Sequence, residues 1–189
     1  VIIGDTSGTI DATGVTTITG NVADITTVLT ARSSQVTNMA NVDAVFDSQT
    51  ANDTLAAADL LTISGLIGTG SVTAANSNFT ATSSNLGTFA DATPASISIG
   101  ASANVAVSGS ASVANIIKMD AKTAGVITAA VSEQDTATLK TIVDGSNALT
   151  ITIATGSELA TDLTAVSAKT TVAVDASAVT AISGNVADV

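Results

Sequence analysis

The side chains here that could do chemistry are almost all carboxylates: 16 Asp and Glu stand against 5 Lys and Arg, and the chain has no His, Cys, Tyr or Trp. That set lacks the commonest general base, every thiol nucleophile and most redox-active side chains. A Ser–Lys pair or an Asp dyad can be assembled in space from what remains. No spacing singles one out, and an enzyme is not expected. Carboxylates also ligate hard cations, and Asp5, Asp11, Asp24, Asp43, Asp47, Asp144, Asp162, Asp175 and Asp188 are the oxygen donors at hand. Calcium takes roughly six to eight oxygens, and the D-x-[DN]-x-[DN]-G loop that gathers them is not present. The nearest approach to a cluster is "NVDAVFD", with Asp43 and Asp47, whose ordinary reading is an acidic pair on a solvated face. Asp11 and Asp175 occupy equivalent positions in two similar segments, where their side chains are expected to close turns. If successive structural units aligned such residues, calcium would relieve the repulsion, so Asp11, Asp175, Asp43 and Asp47 are the calcium candidates. No other cofactor is expected.

Threonine is the next candidate. "LTITI" (Leu149 to Ile153) and "FTATS" (Phe79 to Ser83) place Thr at alternate positions, as a flat ladder that orders water or ice would require. The ordinary reading is that Thr favours strands and solubilises their outer face. Asn52 and Asn78 open glycosylation sequons, which Ser/Thr-rich sequence produces readily.

The elements that must position these residues come in repeats. "DATGVTTITGNVADI" (residues 11–25) returns as "DASAVTAISGNVADV" (residues 175–189), with most differences being Thr/Ser or Ile/Val exchanges. Two units of equal length, Val126 to Ala148 and Leu149 to Thr171, each open with period-2 alternation and pass to helical spacing. Leu139, Ile142 and Val143 form the helical stripe of the first, and Leu159, Leu163 and Val166 that of the second. In Ser96 to Gly125 two alternating runs precede the triplet Val113, Ile116 and Ile117; the segment from Thr9 gives strand, strand and a helix carrying Val22, Ile25, Val28 and Leu29. Residues 36–95 are less regular. There Asp53 is expected to cap a helix, Leu86 and Phe89 to mark another, and Pro94 to precede the strand "SISIG".

A unit of one or two strands and a helix cannot bury its apolar face alone, whereas stacked units build a continuous core. The fold expected is therefore a repeat solenoid, an α/β or β-helix-like rod: a parallel β-strand ladder with a short helix per coil. Its coils are placed at about 9–35, 36–67, 68–95, 96–125, 126–148, 149–171 and, in part, 172–189. The alternative is a β-sandwich with short helices.

Hydrophobic residues make up 46% of the chain and aromatics 2%, so the core must be built from small aliphatic side chains. The net charge of −11 comes from scattered Asp, and Arg32 with four lysines cannot form a basic stripe; nucleic acid and anionic membrane surfaces are not expected partners. Polar residues interrupt every apolar stretch before membrane-spanning length, so insertion is not expected either. A start at Val1 without Met suggests a processed product or a piece of something longer. No polar cap is evident at either end, and the continuation after Val189 would resemble the segment after Asp24. One period of a longer array, or a subunit whose ends meet the next copy, is the expectation, and either gives an open head-to-tail assembly.

The segments "DATGVTTITGNVADI", "DTATLKTIVDG" and "VDASAVTAISGNVADV" resemble the Thr/Ala/Asp-rich repeats of very large secreted, adhesin-like surface proteins of cyanobacteria and other marine bacteria. The resemblance implies a cell-surface or extracellular location and a structural or adhesive role. It does not carry calcium binding with it, because the Gly-Gly-x-Gly-x-Asp nonapeptide is missing. The function expected is an extracellular structural protein that self-associates into a filament, surface layer or stalk. The alternative is an adhesin whose repeats space or contact a glycan or cell-surface ligand.

Overall fold

The computed structural model describes residues 7–32, 34–39, 41–46, 54–75, 78–93 and 96–185. It is an α/β fold of parallel sheets and six short helices. The strands are β1 (Ile10–Asp11), β2 (Thr17–Gly20), β3 (Val36–Thr37), β4 (Asp43–Phe46), β5 (Thr54–Ala56), β6 (Val72–Ala74), β7 (Asn78–Thr82), β8 (Ile97–Ile99), β9 (Val105–Ala111), β10 (Ile127–Val131), β11 (Ala148–Thr150), β12 (Gly156–Leu159) and β13 (Val179–Ser183). Interleaved with them are α1 (Val22–Ala31), α2 (Ala57–Ile67), α3 (Leu86–Ala92), α4 (Val113–Asp120), α5 (Thr136–Leu139) and α6 (Ala160–Ser167).

Two sheets carry most of the ladder, β2-β4-β6-β8 and β5-β7-β9-β10-β11; β1-β3 and β12-β13 are two-stranded. Every pairing among the described residues is parallel, which leaves no hairpin of the kind that connects a β-sandwich. Alternation along strands such as β4, β6, β7 and β10 puts one apolar set inward, and the register stacks those sets in columns. Ile18, Ala44, Val72 and Ile97 are opposite one another in turn, as are Leu55, Phe79, Val105 and Ile127. All but Ile18 are buried. The helices pack beside the sheets in the order α1 on α2, α2 on α3 and α3 on α4, with α5 on α6.

Local chemistry explains several helix starts. Asn21 caps α1 by accepting from the Asp24 amide at 2.9 Å while its own side-chain amide donates to the Asp24 carboxylate, a reciprocal cap. Ser112 caps α4 through the Asn115 amide, and Asp135 caps α5 through the Thr138 amide at 2.7 Å. The expected stripes fall on buried positions in α1 (Ile25, Leu29), α3 (Leu86, Phe89) and α4 (Val113, Ile116).

Three expectations are corrected. The stripe Leu139, Ile142 and Val143 is not one helix: α5 ends at Leu139, Ile142 is buried in the turn after it, and Val143 is 72% exposed. A polar turn follows at Asp144, where Ser146 donates to the carboxylate from both its amide and hydroxyl. Leu159 sits at the N-cap of α6 and is 50% exposed, because a second strand, β12, occupies the residues just before that helix. The helix expected after Asp53 begins instead at Ala57, behind the short strand β5, with Ala56 at an N-cap that accepts no side-chain bond. Asp53 and Pro94 lie outside the described residues.

Candidate functional site

The carboxylates come first. Asp11 closes its own turn, accepting at Oδ1 from the Thr13 hydroxyl at 2.6 Å and the Thr13 amide at 3.0 Å, and from the Asn38 side-chain amide at 2.9 Å. Those donors hold its carboxyl below the usual range, the Thr13 hydroxyl most strongly. Asp175 repeats the turn, accepting from the Ser177 amide at 2.9 Å, and Ser177 holds its pKa below the usual carboxylate range in the same way. Asp43 reaches into the following unit and accepts the Ser71 amide at 2.7 Å and hydroxyl at 2.9 Å, which also lowers its pKa. Asp47 lies outside the described residues, as do Asp5 and Asp188.

Among the described residues, Asp11, Asp43 and Asp175 are not brought together. Asp11 stands opposite Thr37 in the ladder and Asp175 opposite Thr152, so neither faces another carboxylate across the register. Among the described residues no group of three or more acidic side chains is close enough to hold an ion. The aligned acidic columns that would have called for calcium are not formed by these residues. Asp11 and Asp175 are engaged instead as turn-closers, and Asp43 accepts across to Ser71. The threonine ladder is broken in the same way: Thr80 lies between Ala56 and Ala106, Thr82 opposite Ser108, and Thr150 opposite Ala130. Asn78 is half-buried in β7, where its side-chain carbonyl accepts from the Asn104 amide in the unit that carries β9; Asn52 is outside the described residues.

What the structure does build is a set of polar pins between successive units. Asn147 is fully buried; its carbonyl accepts from the Ile127 amide and its NH2 donates to Asp120, both at 2.7 Å. Buried Thr170 donates to the Leu149 carbonyl at 2.7 Å and accepts from the amides of Leu149 and Val172. Thr123 does the same at an earlier level, donating to the Ala103 carbonyl at 2.6 Å and accepting from Gly125. Glu133 caps α4 from the next unit by accepting the Val113 amide at 2.9 Å, and Arg32 donates to the last carbonyls of α2, at Leu66 and Ile67. The ion pairs Lys118–Asp91 and Lys140–Asp162 also join neighbouring units. Sequence reasoning passed over these pins. One signal was present: the tripeptide Ala-Lys-Thr ends in Thr123 and again in Thr170.

Two further surfaces remain. Beside β1, β2 and α1 opens a cleft of about 410 Å³ lined by Ile10, Ala12, Val15, Ile18, Val28 and Met39, with Asp11 and Asp24 among its walls. At the far side of the fold Leu159, Val172 and Ile182 are exposed, Ile182 to 52%. No described helix is long and apolar enough to cross a membrane. In comparison with known proteins, the chain matches no family model, no curated protein and no solved structure.

Proposed function

We propose that the chain is an extracellular structural protein, a segment of an α/β solenoid that self-associates head to tail into a filament, surface layer or stalk. The observation that carries this reading is the repeated parallel step. Strand after strand pairs with the one next along its ladder, as Thr17 does with Asp43, Phe79 with Val105 and Thr128 with Ala148, and each step extends the same inward columns. A ladder of this kind is not closed on itself, since β2, β8, β5 and β11 are sheet ends. Pins that join each unit to the next, rather than converging on one pocket, support stacking as the work these residues do. Placement outside the cell follows from the resemblance of the repeats to those of secreted surface proteins.

Negative-stain electron microscopy of the purified chain, with and without millimolar calcium, tests the proposal. Filaments or sheets with a regular axial repeat are the expected result, and dependence on calcium would restore a metal role to the carboxylates. Dispersed particles in both conditions would overturn self-assembly and leave a spacer within an adhesin as the better account.

A further inference from the structure

The near-copies at residues 11–25 and 175–189 place one strand sequence at two positions in the fold: Val179 to Gly184 repeats Val15 to Gly20, with Ala181 in place of Thr17 and Ser183 in place of Thr19. In the first position, β2 pairs through the edge that faces later units, with Thr17 opposite Asp43 and Ile18 opposite Ala44. In the second, β13 pairs through the edge that faces earlier units, with Glu158 opposite Ile182 and Leu159 opposite Ser183. No described residue pairs with the other edge of either strand. Each position thus leaves open the edge that its near-copy shows to be competent for parallel pairing.

The side chains beside those edges match. Ile182, the counterpart of Ile18, is 52% exposed in β13. Ile18 borders the apolar cleft, to which Val15 adds a wall that is 38% exposed. Exposed apolar surface next to an open strand edge is the combination that strand addition uses, with backbone bonds giving affinity and side-chain pockets giving register.

Resting on the head-to-tail reading above, we infer that the cleft formed by β1, β2 and α1 receives the β13 edge of a second copy of this chain. β13 adds in parallel to the open edge of β2, and Ile182 joins the inward column that runs through Ile18, Ala44, Val72 and Ile97. The contact is heterologous: two different surfaces meet, so it propagates without closing.

Two exposed positions allow a test that separates this contact from assembly in general. Val15→Asp places a charge in the cleft and Ile182→Asp places one on the edge that enters it. Sedimentation of the wild-type chain should show mass increasing with concentration. Each variant alone should remain monomeric, since every contact needs one surface of each kind. An equimolar mixture of the two should form a discrete dimer and nothing larger, joining the intact β13 edge of the Val15→Asp chain to the intact cleft of the Ile182→Asp chain. Variants that assemble as the wild type does would overturn this interface and leave head-to-tail assembly standing. Monomeric variants that fail to dimerise on mixing would also overturn it. A wild-type chain that stays monomeric at all concentrations would overturn both.

Discussion

The units between β2 and α3 and those between β10 and β13 are stacked by different means. In the first region the interior is filled with the larger side chains: Phe79 and Phe89 meet at 5.6 Å between ring centroids, tilted by 51°, and Leu60, Ile63, Ile67 and Leu86 are buried around them. In the second, the paired residues are closer along the chain, as with Thr128 and Ala148, and buried Asn147 and Thr170 fasten backbone to backbone. A short circuit leaves less room for bulky side chains. A buried hydroxyl or amide then satisfies backbone groups that a wider unit satisfies within its strands. The two regions show that parallel strand pairing is compatible with either an apolar filler or a polar pin.

Substitutions can break each side of this contrast. Phe89→Ala should be the most damaging, costing about 3 to 5 kcal/mol by opening a cavity in the first region, and urea unfolding would measure it. Asn147→Ala should cost about 2 to 3 kcal/mol, since it strands the Ile127 amide and the Asp120 carboxylate, with the loss of amide protection concentrated in β10 and β11. Thr170→Val keeps the shape and removes the hydroxyl, so a loss of about 1 to 2 kcal/mol would isolate the pin from its packing. Equal effects on amide exchange in both regions from any one of these would erase the distinction. Lys140→Met should change stability by less than about 1 kcal/mol, because the Lys140–Asp162 pair is partly exposed and screened by solvent.

Acid should act on both regions alike. Asp43 in the first, Asp11 just before it, and Asp135, Asp144 and Asp175 in the second all have pKa values lowered by the hydroxyl and amide donors around them. A carboxyl that is more acidic in the folded state contributes stability above its unfolded pKa and loses it as pH falls through the folded value. The expected melting temperature is therefore level near neutrality and falls once pH drops below the ordinary carboxylate range. A fall that began near neutrality would assign acid sensitivity to something else.

Periodicity made the helices with clean apolar stripes legible, because Ile25 with Leu29 and Leu86 with Phe89 can share a face only at helical spacing. Parallel stacking was legible in the succession of strand and helix. What escaped was decided by contacts across units. Nothing local to Val143 says that a turn at Asp144 leaves it in solvent, and nothing local to Ala56 says that a strand precedes α2. Asn147 and Thr170 escaped because each resembles many other polar residues of the chain until a backbone group from another unit is brought against it. Equivalence in the repeat aligned Asp11 with Asp175 in sequence, whereas the ladder set Thr37 and Thr152 beside them.

The all-parallel pairing has a mechanical consequence. When Ile10 and Ser183 are pulled apart along the stacking direction, the strand-to-strand bonds lie along the load and give way level by level, as in peeling. Each level that opens frees a loop of chain running between residues such as Thr128 and Ala148, or Ala44 and Val72, which adds about 70 to 100 Å of slack before the next level bears tension. The longer stretches lie toward β4 and β6 and the shorter, polar-pinned ones toward β11.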